Sequence, residues 1–303
     1  MCADKIDIDQ LRKSLRRRHE AAEKIKLASQ INRPGMQAIM YPRNVSSKPA
    51  APGPSPFTPL NPVNLENSVD GRDMRGPDGA YSFLVESHLN ASTPDEAALS
   101  TALLTAMSDP DGALRGHLLK VDPLGGAAIE PQDMVFFDLE TTGLSSSPVF
   151  LIGVMIWADG GLMTRQFFAR DYSEEHAIVS LFAECMQGKK MLVSFNGKSF
   201  DLPYIRARAA AVGMEFEFDG PHFDLLHISR RAWKNELPNC KLQTLEAHIC
   251  GRHRTGDIPG HAIPQAYHDY VHSKDARHMV STLEHNRLDL ITLAELMIHL
   301  PDA

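Results

Sequence analysis

The sequence predicts an α/β domain in which a mixed sheet carries helices on both faces. Four short apolar runs indicate buried strands, and they cover 134–139, 150–157, 162–170 and 190–195. A hairpin turn signal, Asp159-Gly160, separates the second run from the third. We therefore expect the first three strands to be antiparallel. The fourth follows a predicted helix, so we expect it to be added to the sheet in parallel.

Helical spacing of apolar residues predominates in most of the remaining sequence beyond residue 80. The predicted helices cover 95–107, 174–187, 201–212, 241–250, 264–272 and 276–299. Three further short segments have strand-like composition, at 81–86, 116–121 and 222–226. The third of these is either a short strand or an extended entry to another helix.

Composition limits the class of protein. The chain has 303 residues, and 43% of them are hydrophobic, which is enough for a substantial core. A net charge of -7 argues against general, charge-driven binding to nucleic acid but leaves room for a locally basic groove. The cysteines are scattered without a C-x-x-C motif, which favours the reducing cytoplasm. No run of 18 apolar residues occurs, so we expect no membrane association.

The sequence divides into three parts. Residues 1–79 are predicted to be a disordered basic arm, helix-like over 5–30, followed by a Pro-rich linker over 33–79. Residues 80–124 are predicted to be a short variable segment packed on the core. The main α/β domain is predicted to cover residues 125–303.

Two acidic residues end the first predicted strand of the main domain. Asp138 and Glu140 are two positions apart, so an extended backbone points both side chains to the same face. Carboxylates held together in a sheet repel each other, and burying them is costly unless a cation neutralises them. A hard divalent cation with oxygen ligands would do so. A solvated strand end is the ordinary alternative.

Three later residues complete a candidate site. Asp201 follows the fourth strand at a predicted helix start, where an aspartate is usually a helix cap. His285 and Asp289 are four apart on the last helix and lie on one face, which is also a common surface pair. The ordered combination of these residues favours a functional site. Four carboxylates can hold two Mg²⁺ or Mn²⁺ ions for phosphodiester hydrolysis, and a neutral histidine can accept a proton from water.

Three segments resemble the motifs of a known enzyme family. Phe137-Asp138-Leu139-Glu140-Thr141-Thr142-Gly143 resembles the first motif of the DEDD 3′→5′ exonucleases, which have the ribonuclease-H-like fold. Asn196-Gly197-Lys198-Ser199-Phe200-Asp201 and His285-Asn286-Arg287-Leu288-Asp289 resemble the second and third motifs. Other stretches, such as Leu237–Glu246 and Asp257-Ile258-Pro259-Gly260, are similar to the YprB-like branch. The resemblance covers about residues 130–300.

The resemblance implies a two-metal 3′→5′ exonuclease acting on single-stranded DNA or RNA. Asp138, Glu140, Asp201 and Asp289 would hold Mg²⁺ or Mn²⁺, and His285 would assist the attacking water. His285 stands four residues before Asp289, whereas the family has a Tyr four before or a His five before. Four neighbours are assigned to substrate contact: Thr141, Asn196, Lys198 and Phe200. The alternatives are a non-catalytic nucleic-acid or protein-binding module and an endonuclease acting on structured substrates.

Overall fold

Seven strands of the described residues form one mixed sheet, in the order β1-β2-β5-β4-β3-β6-β7. The strands are β1 (Gly71–Arg75), β2 (Tyr81–His88), β3 (Met134–Thr141), β4 (Val149–Ala158), β5 (Gly161–Phe168), β6 (Met191–Ser194) and β7 (His222–Asp224). Strands β3, β4 and β5 are antiparallel to their neighbours in this group, whereas β6 pairs in parallel with β3 and with β7. The predicted mixed sheet is confirmed.

The structure is a computed structural model that describes residues 62–77, 79–122, 128–143 and 147–303. The predicted basic helix over 5–30 and most of the predicted linker lie outside these residues. Residues from Val63 to Ala303 form one compact unit. Strands β1 and β2 belong to the same sheet as β3, so the sheet crosses the predicted boundary at residue 125.

Eight α-helices within the described ranges accompany the sheet. They are α1 (Pro94–Ser108), α2 (Ala113–Val121), α3 (Glu175–Cys185), α4 (Asp201–Ala211), α5 (Leu225–Trp233), α6 (Leu242–Leu245), α7 (Ile263–Ser273) and α8 (Arg277–Ile298). A π-helical segment, Glu246–Cys250, continues α6. In the part of the chain that the structure describes, no helix is both long enough and apolar enough to cross a membrane.

Side chains of β3 alternate between the two faces of the sheet. Phe137 stacks on Phe182 of α3, with ring centroids 4.8 Å apart. The next residue, Asp138, points the other way and accepts a hydrogen bond from Asn286 of α8. Helices therefore cover both faces of the sheet, as predicted. The alternation also puts Asp138 and Glu140 on the α8 side.

Two predictions of the fold were wrong. The segment 116–121, predicted as a strand, lies within α2. Leu114, His117 and Leu118 are the buried residues of α2, at helical spacing, and the six residues of 116–121 are too few to distinguish this pattern from a strand. The linker predicted to reach residue 79 ends earlier, because Gly71–Arg75 pairs with β2 as an edge strand. Its composition is polar because four of its five residues are exposed.

Candidate active site

Asp138 and Glu140 lie at the end of β3, next to a register shift between Glu140 and Thr141. Both side chains remain partly accessible, and both carboxylates have pKa values well above their usual range. Burial from water is the largest cause for each, and the negative charge of Asp289 is the second. The two side chains therefore point to the same face, as the alternation predicted, and each faces an acid from a distant part of the chain.

Asp201 joins this group from the first residue of α4. Its side chain is only 6% exposed, and burial is the main cause that raises its pKa to about 7. Hydrogen bonds from the backbone of Asp201 and Leu139 limit this rise. Asp224 and Asp289 raise it further through their charges. Asp201 therefore does not act only as a solvent-exposed helix cap.

The loop before Asp201 has a conformation that few residues adopt. Asn196 has a positive φ of 67°, in the left-handed region that asparagine tolerates better than most residues. Its backbone N–H and that of Lys198 donate to the two carboxylate oxygens of Asp224, at 2.8 and 3.1 Å. Asp224 also accepts from the backbone N–H of Leu226 and so caps α5. One carboxylate thus fixes both the start of α5 and the loop that leads to Asp201.

His285 and Asp289 lie one turn apart on α8, on the side that faces β3. His285 Nε2 is 3.5 Å from Asp289 Oδ2, and its Nδ1 is 2.8 Å from Asp257 Oδ1. The imidazole is therefore held between two carboxylates. The predicted pair is present, and Asp257 is an additional partner of His285 that its sequence position does not indicate.

Asn286 lies beside the acids through a close approach of α8 to the sheet. Its Nδ2 donates to Asp138 Oδ2 at 2.8 Å, and its Oδ1 accepts from Gln166 Nε2 at 2.9 Å. Gln166 also donates to the carbonyl of Leu283. Asn286 can lie here because residue 153, opposite Asp138 in β4, is glycine. A Cβ at residue 153 would overlap the Asn286 amide.

An arginine lies among these acids. Arg254 Nε donates to Glu246 Oε2 at 2.8 Å, and Arg254 Nη2 donates to Asp289 Oδ1. Arg254 Nη1 is 3.4 Å from Asp257 Oδ2. No sequence motif indicates a role for Arg254, Glu246 or Gln166. An acidic residue between apolar neighbours in a helical stretch, Glu246 after Leu245 and before Ala247, is the signal that could have indicated one of them.

The four residues assigned to substrate contact differ in exposure: two are exposed and two pack inside the protein. Asn196 and Lys198 are exposed at the loop before Asp201. Thr141 is partly buried, and its hydroxyl donates to the carbonyl of Gly143 at 2.8 Å. Phe200 packs against Tyr204, with ring centroids 5.4 Å apart, so part of its ring belongs to the core. The first two side chains are free to meet a ligand, and the other two have partners inside the protein.

The donor set of this cluster fits a hard divalent cation. Asp138, Glu140 and Asp201 have raised pKa values, which means that burial and neighbouring negative charges disfavour their ionised forms. Asp289 adds a fourth carboxylate. As the described side chains stand, no three His, Cys, Asp or Glu residues are grouped at the spacing that holds a metal.

Comparison with known proteins identifies the family. A family model described as the RNase_H superfamily matches residues 135–301, which is more than half of the chain. The chain therefore belongs to the ribonuclease H superfamily. The matched range begins at Val135, in β3, and includes Asp138, Asp201 and Asp289.

One curated relative and one solved structure illustrate the range of similarity. YprB of Bacillus subtilis (strain 168) is 30% identical over 185 residues, which cover 58% of this chain and 44% of YprB. The match thus spans less than half of the relative's length. The family B DNA polymerase of the archaeon Pyrobaculum calidifontis matches with 18% identity and a TM-score of 0.43, over 54% of this chain and 24% of the polymerase chain.

Proposed function

We propose that this protein is a metal-dependent nuclease that hydrolyses phosphodiester bonds, as a 3′→5′ exonuclease on single-stranded DNA or RNA. Membership of the ribonuclease H superfamily supports an activity on nucleic acid. The observation that carries the proposal is the convergence of Asp138, Glu140, Asp201 and Asp289 from β3, α4 and α8. Buried acids that meet further negative charge oppose folding, so their presence needs a functional reason.

These four acids would hold one or two Mg²⁺ or Mn²⁺ ions, which would activate a water molecule and stabilise charge on the phosphate. Asn286 orients the Asp138 carboxylate, because Gln166 occupies the amide oxygen and leaves the amide nitrogen to face Asp138. At least one ligand of the proposed metal site, Asp138, is therefore held in a defined orientation. Such supporting hydrogen bonds typically change metal affinity or activity about 10–100-fold.

His285 is suited to accept a proton from the attacking water. Asp257 lies 2.8 Å from its Nδ1, which fixes the proton of a neutral imidazole on Nδ1. Nε2 is then left as the acceptor, and it faces the Asp289 carboxylate. We propose Lys198 and Asn196 as contacts to the substrate backbone, because both are exposed beside Asp201. Thr141 and Phe200 stay in the proposed set as rim residues.

A time course on 5′-labelled single-stranded DNA and on its RNA counterpart tests the proposal. Reactions contain Mn²⁺ or EDTA, with wild-type protein and Asp138→Ala. We expect a Mn²⁺-dependent ladder that shortens from the 3′ end and is lost in the variant. Glu215→Ala is the matched control, because Glu215 is an exposed acid beyond the other end of α4 from Asp201.

Each contrary outcome has a distinct meaning. Cleavage of a circular single strand would replace the exonuclease with an endonuclease. Cleavage that persists in Asp138→Ala would contradict the assignment of the acids. Binding without cleavage under Mg²⁺ and Mn²⁺ would support a non-catalytic module on the same fold.

A further inference from the structure

The guanidinium of Arg254 is enclosed by groups that all accept hydrogen bonds. Its side chain is 6% exposed, and Glu246, which accepts from Nε, is 1% exposed. Nη1 contacts Asp257 and the backbone carbonyl of His285, at 3.4 and 3.3 Å. Nη2 is bonded to Asp289. The fork of the guanidinium thus joins two buried or half-buried acids to one acid of the proposed metal site.

The acids that contact Arg254 differ in whether a second arginine also neutralises them. Glu246 also contacts Arg252, at 3.4 Å, so two arginines share this buried carboxylate. Asp289, by contrast, raises the pKa of both Asp138 and Glu140, and the charge of Arg254 counteracts the rise for Glu140. Arg254 is the arginine among the described residues that bonds directly to one of the four clustered acids. It is therefore a positive charge placed where a metal ion would provide one.

We propose that Arg254 is an internal counter-ion that holds Asp289 when no metal is bound and competes with the divalent cation for this carboxylate. The inference rests on the nuclease proposal, because it assumes that Asp289 is a metal ligand. Metal binding requires Arg254 to give up only the Nη2 bond to Asp289. Its bonds to Glu246 and Asp257 are retained, so the guanidinium stays buried and paired in both states. Arg254 thereby sets the metal affinity of the site as a positioning residue.

The geometry of the segment permits such a small movement. Arg254 follows Gly251, which ends the π-helical segment in the left-handed conformation at a φ of 72°. Residues 251–254 and 257–259 have no regular secondary structure, so few backbone hydrogen bonds oppose a shift of the arginine. Arg254 therefore has a fixed anchor at Glu246 and an adjustable contact at Asp289.

The test is a calorimetric titration of the full chain with Mn²⁺, comparing wild type with Arg254→Gln. Removing the competitor should tighten Mn²⁺ binding about tenfold, while the metal-free variant should melt at a lower temperature because Glu246 and Asp257 lose their partner. Arg170→Gln is the matched control, since Arg170 pairs with Glu174 and Asp73 away from the site. It should lower the melting temperature and leave the Mn²⁺ affinity unchanged.

Two further variants complete the experiment. Arg254→Lys keeps a charge but cannot bond to Glu246 and Asp289 at once, so it should tighten Mn²⁺ binding as well, and it replaces Arg254→Gln if that variant does not fold. In an Asp289→Asn background, Arg254→Gln should no longer change the affinity, because the carboxylate for which the two cations compete is gone.

The outcomes separate this inference from the nuclease proposal. Wild type that binds Mn²⁺ and cleaves, with variants of Arg254 that bind equally or more weakly, overturns the role of Arg254 and leaves the nuclease proposal intact. Absence of Mn²⁺ binding in wild type and in every Arg254 variant overturns both. Mn²⁺ binding that occurs only after Arg254 is replaced supports the competition directly.

Discussion

The two faces of β3 differ in the environment that they give to their side chains. On one face, Val135, Phe137 and Leu139 belong to the apolar core, and Phe137 stacks on Phe182 of α3. On the other face, Asp138 and Glu140 point toward α8 and have pKa values raised by burial and by like charges. The same backbone alternation therefore builds a closed core on one side and an uncompensated acidic group on the other.

This difference separates stability from function on a single strand. Burial of the apolar face removes hydrocarbon from water and stabilises the fold. Burial of the acidic face opposes folding, because each carboxylate loses water and meets further negative charge. Substitutions of the apolar residues on the α3 side and of the acids on the α8 side should consequently have opposite profiles. The first should lower stability, and the second should lower activity with little or no loss of stability.

The largest effect is expected from amide substitutions of the clustered acids. Asp138→Asn, Glu140→Gln and Asp289→Asn each remove one carboxylate at nearly constant volume. We expect cleavage to fall by about 10²–10³-fold, which is the usual cost of removing one group that stabilises transition-state charge. Thermal melting of metal-free Asp138→Asn and Glu140→Gln should match or exceed wild type, whereas Asp289→Asn also weakens the ion pair with Arg254 and should gain less. A variant that keeps wild-type activity would remove that residue from the site.

Phe137→Ala should give the opposite profile. Phe137 is fully buried, and deletion of a buried phenylalanine side chain typically costs about 3–5 kcal/mol of stability. Denaturant unfolding would measure this loss, and the rate of cleavage per folded molecule should stay close to wild type. Phe137→Leu is the conservative control, with a smaller loss. A Phe137→Ala protein of normal stability and low activity would contradict the separation of the two faces.

The alternation of β3 was accessible from sequence because it depends only on local geometry. Apolar residues at 135, 137 and 139 with acids at 138 and 140 define the two faces without knowledge of the fold. The contribution of Asp201 and Asp289 was suggested by a resemblance of ordered motifs, and the structure brings both residues toward β3. The longer apolar runs gave the correct type for β3, β4 and β5 for the same local reason.

The supporting contacts were not accessible, because they depend on which distant segments meet. Gln166 is an ordinary residue in a strand until α8 brings Asn286 against it. Arg254 lies in an irregular segment whose position depends on Glu246 and Asp289. The segment 116–121 was mistaken for a strand because its few apolar residues fit a strand as well as a helix, and only the burial of Leu114 and Leu118 one turn apart shows the helix.

Gly153→Ala tests the close approach of α8 to the sheet, because it adds one methyl group where Asn286 meets β4. A Cβ at residue 153 would overlap the Asn286 amide, so α8 or the Asn286 side chain has to shift. Overpacking of this kind costs about 1–3 kcal/mol, and displacement of Asn286 from Asp138 should lower cleavage as well. Gly260→Ala is the matched control, because nothing lies within 4 Å of its added Cβ. Unchanged stability and activity in Gly153→Ala would contradict the close approach.

The sharpest test of the acidic face is the pH dependence of metal-free stability. The folded pKa of Asp201 is about 7, above its usual value of 3.8, so the folded state binds the proton more tightly than the unfolded state. The stabilisation of the folded state by this proton on Asp201 is complete below about pH 4 and is lost as the pH rises through 7. Raised pKa values of Asp138 and Glu140 act in the same direction.

Asp201→Asn should therefore resemble wild type at pH 4 and become the more stable protein as the pH approaches 7.5. Denaturant unfolding in EDTA at several pH values measures this difference. Glu215→Gln, which changes an exposed acid, should follow wild type throughout. A constant difference between Asp201→Asn and wild type across the range would mean that the carboxyl of Asp201 titrates as in the unfolded chain. The acidic face of β3 would then lack the electrostatic strain that distinguishes it from the apolar face.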